Sequence, residues 1–244
     1  MADHDIACWE ALDPADPVLE QVRQLYEATQ AADERIPWRW IAEAVASRPG
    51  WRPGHWSPHL LLAAPPHRRG AVAGFAYGIH VPDYGGYISY LGVDSRHRRR
   101  GIGARLLRLL TRVLQVDAAC EGVPLPFVLW ESRRPDPSAP AEAWDLWRAR
   151  LRLFERVGAW WVAGITFLAP NFARRKEPPV PLQLFLVPVD TPAEAFDPAA
   201  LREAAAGLFR EVYGRQGGDP LFERSLPPEC RPTLRPAGEA TAAR

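Results

Sequence analysis

Residues 87–110, YISYLGVDSRHRRRGIGARLLRLL, constrain the fold more than any other stretch of the chain. The opening part, with Ile88, Tyr90 and Leu91, is a β-favouring run. Asp94, Ser95 and a cluster of arginines break it. From Gly101 onward the apolar period becomes helical. Ile102, Leu106, Leu109, Leu110, Val113 and Leu114 share one face, and Arg105, Arg108 and Arg112 another. The stretch reads as a strand, a basic glycine turn and a helix over 102–116.

The turn has a definite chemistry. The first amides of a helix lack internal partners and carry the positive end of the helix dipole. Gly101 and Gly103 have no Cβ, so a ligand can approach the backbone closely. Such a turn suits a phosphate or pyrophosphate. Each amide bond to a charged oxygen is worth about 1.5–3 kcal/mol net, so several convergent ones hold a cofactor. Arg98, Arg99 and Arg100 add positive charge at the same place. A dinucleotide fingerprint does not fit, because the glycines stop at Gly103. A Walker A loop does not fit either, because no G-K-[ST] follows and the only lysine is Lys176.

Arg98-x-x-Gly101-x-Gly103, entered from a hydrophobic strand ending in Val93-Asp94, resembles the Q/R-x-x-G-x-G/A signature of the GCN5-related N-acetyltransferases, the GNAT superfamily. The resemblance implies an α/β (α+β) fold, with a mixed central sheet of about 6–7 strands flanked by helices. The rest of the chain follows that order. Strands are expected at 6–12, 59–64, 71–81, 87–93, 126–131, 160–168 and 180–187, with a turn at 65–70. Helices are expected from Pro17 with Asp16 as cap, over 38–46, over 102–116, and over 141–157 with Gly158 as stop. Residues 1–190 would form the acetyltransferase domain. Residues 191–225 would be a C-terminal helical extension, capped by Asp197 and with Leu201, Ala205, Leu208 and Val212 on one face. That face must cover the chain's own surface or a second copy in a homodimer. Residues 226–244, rich in Pro, Ala and Arg, are expected to be a loosely held tail.

By the same resemblance, two parallel strands, 87–93 and 127–131, splay apart, and the pantetheine arm of acetyl-CoA lies between them. Backbone groups of Leu91, Gly92 and Val93 would serve the pantetheine and the thioester oxygen. The amides from Arg99 through Gly101, Ile102, Gly103 and Ala104 would hold the pyrophosphate. The side chains of Arg98, Arg99 and Arg100 either reach the nucleotide phosphates or are only solvated. The acceptor would be a primary amine, on a small molecule or a peptide, attacking the thioester directly in a ternary complex. Freeing the lone pair of an amine of pKa ~10.4 at neutrality costs about 4.6 kcal/mol, so a base is wanted. Glu131, at the end of its strand, is the preferred base; a surface ion pair with Arg133 or Arg134 is the plainer reading. Asp83 and Tyr84 are second choices, and His80 reads as structural. The family's glutamate position matches Tyr87 here. Its L-Y-E-x-x-G helix motif reads L-F-E-R-V-G over 153–158, so Phe154 stands where a tyrosine acid is usual. Tyr87 and Tyr90 are the substitute acids. The alternative is a weakly active or inactive acyl-CoA-binding protein of the same fold.

Composition narrows the remaining classes. Thirty basic residues balance 29 acidic ones, which argues against nucleic acid as the partner despite R-H-R-R-R. A hydrophobic content of 47 %, with ten Trp, is ample for a packed core. Trp51 and Trp56, in the loop at 50–58, either pack beneath it or overhang the acceptor. Cys8, Cys120 and Cys230 are too few and too scattered for a disulfide framework or a metal site, and no metal is expected. With no visible signal peptide and no run of ~20 apolar residues, a cytoplasmic protein with no membrane partner is expected.

Overall fold

The computed structural model describes residues 6–65, 71–173, 178–215 and 218–241. The turn expected at 65–70 lies almost wholly outside the described residues. Among the described residues nine strands form the sheet, in the order β1-β2-β3-β4-β5-β8-β6-β9, with β7 also pairing β8. They are β1 (Ala7–Glu10), β2 (Ser57–Ala64), β3 (Gly74–Val81), β4 (Gly85–Val93), β5 (Phe127–Ser132), β6 (Trp160–Ala163), β7 (Phe167–Ala169), β8 (Val180–Pro188) and β9 (Thr233–Pro236). The helices are α1 (Val18–Thr29), α2 (Trp38–Ser47), α3 (Ile102–Cys120), α4 (Ala141–Arg156), α5 (Pro198–Gly207) and α6 (Pro220–Ser225). The mixed α/β fold implied by the sequence is present, with more strands than the 6–7 expected.

Two strands account for the difference. The run expected as one strand over 160–168 is two, β6 and β7, separated at Gly164, whose φ of +86° suits glycine. The other is β9, in the segment expected to be loose. It pairs antiparallel with β6, Val162 opposite Leu234, and the turn after it buries Ala237 and Ala240 in the core against α4. Proline, alanine and arginine give this segment the composition of a tail, but one neighbouring strand, β6, supplies its ladder.

Local chemistry explains the helix ends. The Asp16 carboxylate accepts a bond from the Val18 amide at 2.9 Å, and Asp197 from the Ala199 amide at 2.8 Å. Gly158, at φ +79°, follows α4. α3 continues four residues beyond the expected end, to Cys120, because Leu114, Asp117 and Ala118 remain buried.

Three groups of helices cover the sheet. α3 and α4 pack on one face, where Leu106, Leu110, Trp130, Trp147, Phe154 and Phe185 form the core. On the other face, α1 and α2 cover β2, β3 and the end of β4 through Val22, Tyr26, Ile41, Phe75 and Tyr90. α5 and α6 cover the other half of that face through Tyr87, Leu129, Leu184, Leu201 and Leu208. The amphipathic face of the extension is therefore closed by its own chain.

β4 is irregular at a position that matters. Tyr77 on β3 pairs with Tyr90, but the next residue, Gly78, pairs with Ile88, so Ser89 is an extra residue bulging from the ladder. A bulge bends and twists its strand. β4 and β5, the one parallel pair among the described strands, are joined only at Gly86–Val128 and Tyr87–Leu129, just before the bulge. Beyond it the two strands run on, to Val93 and Ser132, without pairing.

Candidate active site

The divergence of β4 and β5 opens a cleft of ≈ 1820 Å³. Leu91, Gly92, Val93, Arg98, Arg99, Gly101, Ile102, Gly103 and Ala104 line it, as do Glu131, Tyr87 and Tyr90. Arg100, expected with its neighbours, is not among the lining residues; its side chain is exposed.

At one end, the β4–α3 turn presents backbone. Arg99 (φ +63°) and Gly101 (φ +79°) adopt left-handed conformations, which turn the chain sharply into α3. No side chain caps α3 at Gly101. The amides of its first turn therefore remain for a ligand, at the positive end of a 19-residue helix. A Cβ on Gly103 would stand 3.2 Å from a Leu153 methyl, so a side chain there would crowd the contact between α3 and α4. Arg98, Arg99, Arg148, Arg150, Arg152 and Arg156 are among the residues that line the cleft. An anionic, phosphate-bearing group fits these residues.

Deeper in the gap, the Leu91 carbonyl accepts a hydrogen bond from the Gln30 side chain at 3.0 Å. One of the strand groups expected to meet pantetheine thus already has a partner, although a carbonyl has two lone pairs. Gly92 is required by packing: a Cβ there would overlap the Phe75 ring.

Glu131 occupies the other side of the gap. Strand alternation puts it on the same face as Leu129, facing the α5 side. Burial raises its carboxyl to about 7, against a hydrogen bond that the Tyr213 hydroxyl donates to Oε1. The nearby Glu34 carboxylate raises it further. Glu34 is itself raised by burial, while Arg133, 2.8 Å away, pulls it back. Arg133 also bonds Asp33 at 2.7 Å, so it clamps the α1–α2 loop to the segment after β5. Arg133 thus pairs with Asp33 and Glu34 rather than with Glu131.

The two tyrosines proposed as acids are committed elsewhere. The Tyr87 hydroxyl donates to the Ala204 carbonyl beneath α5, with the Tyr84 carbonyl at 3.3 Å. The Tyr90 hydroxyl donates to the Glu34 carbonyl at 2.9 Å and accepts from the Ile36 amide at 3.0 Å. Both side chains are buried, and burial raises both hydroxyls well above the usual tyrosine value. Tyr87 anchors the extension, and Tyr90 anchors the loop carrying Glu34. The bulge at Ser89 brings these residues, three apart, onto one face.

Asp83 and Tyr84 are not among the cleft residues; Tyr84 packs against Gly207, with the Arg210 guanidinium 4.8 Å from its ring. His80 is buried 3.8 Å from Glu121, and burial lowers its pKa. Phe154 packs edge-on to Trp130 at 5.2 Å. Trp56 lines the cleft, whereas Trp51 bonds its own loop at the His55 carbonyl. Sequence reasoning missed Glu34, Gln30, Tyr213 and the arginines of α4. The arginine spacing along α4 was the one readable signal among them.

Among the described residues, no group of three or more His, Cys, Asp or Glu side chains is placed to hold a metal ion. No helix among them is long and apolar enough to cross a membrane.

Residues 19–123 match the acetyltransferase (GNAT) family, a span that includes β4, the arginine–glycine turn and α3. The matched family is the one that the Arg98–Gly103 motif resembles. No curated protein matches it. A Bacteroides thetaiotaomicron protein assigned to the GNAT acetyltransferases superposes with a TM-score of 0.59 at 17 % identity, covering 86 % of this chain and 99 % of its own. Its likeness shows the fold. The ribosomal-protein-S18-alanine N-acetyltransferase of Escherichia coli gives 0.49 at 16 % identity over 79 % of this chain and 99 % of its own. A Salmonella typhimurium protein assigned as an acetyltransferase, solved with acetyl-CoA, gives 0.49 at 16 % identity over 80 % and 99 %.

Proposed function

We propose that this chain transfers the acetyl group of acetyl-CoA to a primary amine, by direct attack in a ternary complex, with Glu131 as the base. The observation that carries this reading is the parting of β4 and β5 after Tyr87–Leu129, with phosphate-binding geometry at one end and Glu131 at the other. The uncapped amides of Ile102, Gly103 and Ala104 would take the pyrophosphate, with Arg98 and Arg99 beside it. The pantetheine arm would run along Leu91, Gly92 and Val93. A backbone amide near Leu91–Gly92 would stabilise the thioester oxygen as it becomes negative.

The amine nitrogen forms the new bond to the acetyl carbon, and the carbon–sulfur bond breaks. A carboxyl that titrates near 7 is matched to accepting the amine proton at neutral pH. The departing thiol, of pKa ~8.5, leaves without a strong acid, so Phe154 in place of a tyrosine slows this step rather than forbidding it. The acceptor is an amine on a small molecule or a peptide. The proposed setting is cytoplasmic, and no metal takes part.

Phe154 supports one second reading, a protein that holds acyl-CoA without transferring the acyl group. Incubating the full chain with acetyl-CoA and a panel of primary amines separates the two. An acetyltransferase releases free thiol in step with one or more amines. A binder slows background loss of acetyl-CoA and consumes none of it.

A further inference from the structure

The extension after β8 contributes a side chain to the cleft. Leu201, Ala205 and Leu208 seat α5 on Val81, Tyr87 and Leu129. The helix then widens over Leu208–Val212, and the Tyr213 amide bonds the Leu208 carbonyl, five residues back, at 3.0 Å. Such wide turns insert a residue into the helical phase and recur at functional sites. Here the residue after the turn is Tyr213. Its ring is held edge-on by Phe209, with centroids 5.2 Å apart, and by Phe172 at 5.8 Å. Tyr213 lines the cleft, and its hydroxyl donates to Glu131 Oε1. A phenol held by two aromatic neighbours, with its one proton on a half-buried carboxylate, fits a purpose beyond closing the core; an apolar side chain would fill the space without a hydroxyl to satisfy.

We propose that Tyr213 is the positioning residue for Glu131: its hydroxyl fixes Oε1 and holds the carboxylate in its ionised form, leaving Oε2 to take the proton of the acceptor amine. The extension then completes the site. This rests on the reading of Glu131 as the base. Tyr213 keeps its proton throughout, and the proton leaving the amine ends on Glu131. A hydrogen bond donated to the charged form of a carboxyl lowers its pKa. That opposes the upward push of burial and of Glu34.

The test is a direct titration of Glu131 in the full chain, labelled with ¹³C-glutamate. The Glu131 carboxyl signal is identified by its loss in Glu131→Gln. Tyr213→Phe keeps the ring and its contacts with Phe172 and Phe209. Its Glu131 titration should move up by about one pH unit. A 3,5-difluorotyrosine at 213, a stronger donor on the same ring, should move it down. The acid limb of acetyl transfer to 2-phenylethylamine should follow in each case, and acetyl-CoA affinity should stay within about twofold. An unmoved Glu131 titration in both variants overturns the proposal. If Glu131→Gln removes the acid limb while Tyr213→Phe leaves the titration unmoved, only the positioning claim falls. If Glu131→Gln leaves transfer unchanged, the base assignment falls and this inference with it.

Discussion

His59 Nε2 lies 2.6 Å from Asp117 Oδ2, a contact that ties the start of β2 to the last part of α3. The other ring nitrogen, Nδ1, is 2.7 Å from Glu10 Oε1 on β1. Arg48 reaches both carboxylates, at 3.1 and 3.4 Å, and the Ser57 hydroxyl donates to Asp117. With a carboxylate at each nitrogen, the ring is held as the imidazolium. Burial alone would lower the His59 pKa, but the bonds to Asp117 and Glu10 outweigh it and raise the value above 6.5. Glu10 and Asp117 are lowered from 4.5 and 3.8 despite burial, chiefly through their bonds to His59.

The sign of the pH dependence follows. The stability from the His59 charge is complete below about 6.5 and disappears as pH rises through its raised folded pKa. The stability from the two carboxylates is complete above about 4.5 and disappears as pH falls through their lowered values. Stability from this cluster should therefore peak between about pH 4.5 and 6.5 and fall toward pH 9. His59→Ala should cost about 3 kcal/mol at pH 6 by leaving Asp117 buried without its partner, and should flatten the alkaline fall. Urea unfolding of the two proteins at pH 6 and pH 9 measures both effects. An equal alkaline fall in the variant would assign it to other groups.

The proposed phosphate end of the cleft is tested at Gly103 and Gly101. Gly103→Glu should raise the Kd for acetyl-CoA more than about 100-fold, because the side chain crowds Leu153 beside the first turn of α3 and adds negative charge at the proposed phosphate site. Gly101→Ala should act differently. Its φ of +79° costs an L-residue about 1–2 kcal/mol, so thermal stability should fall along with affinity. Calorimetric titration with acetyl-CoA, paired with thermal melts, separates loss of the site from loss of the fold. Retained affinity in Gly103→Glu would place the cofactor elsewhere.

What could be read from sequence, and what could not, follows from how local the cause was. The turn from Arg98 to Gly103 was legible because its glycines, its charges and the change of period lie within a few residues. Glu131 was legible as the polar end of an apolar strand, but its partners were not. Tyr213 lies 82 residues away. The wide turn that aims it interrupts the helical phase on which the face of Leu201, Ala205 and Leu208 was counted. The bulge at Ser89 left no mark because an inserted serine does not disturb a β-favouring run. Yet it decides that Tyr87 and Tyr90 share a face and that β4 leaves β5. β9 was invisible for the opposite reason: four residues of tail-like composition become a strand only because β6 has a free edge.

Glu131 should control the pH profile of acetyl transfer. With its carboxyl pushed up to about 7, the base is ionised above that value and protonated below it. The rate should therefore fall about tenfold per pH unit below 7 and level off above it, until another group titrates. Glu131→Gln should lower kcat about 10²–10³-fold at pH 7.5 and abolish the acid limb, with acetyl-CoA affinity little changed. Initial rates from pH 5.5 to 9, monitored by thiol release, provide the check. An acid limb that survives in Glu131→Gln would move the role to Glu34 or to a water chain.

Ala237 distinguishes an integral C-terminal segment from a dispensable one. Ala237 is fully buried, in the same cluster as Trp147, Leu151 and Phe154. Ala237→Asp would place a carboxyl in that core with no partner of opposite charge. If the segment is held as β9 and the turn after it indicate, the variant should lose about 3 kcal/mol or more, since burying an unpaired polar group is among the costliest single changes. A chain that frays freely after Ser225 would let the carboxyl swing into water, and the change would stay within about 0.5 kcal/mol, as at an ordinary surface site. Urea unfolding distinguishes the two magnitudes. Amide exchange provides an independent reading: the amides of β9 that bond β6 should exchange with the protection of the core sheet rather than at the rate of a free end.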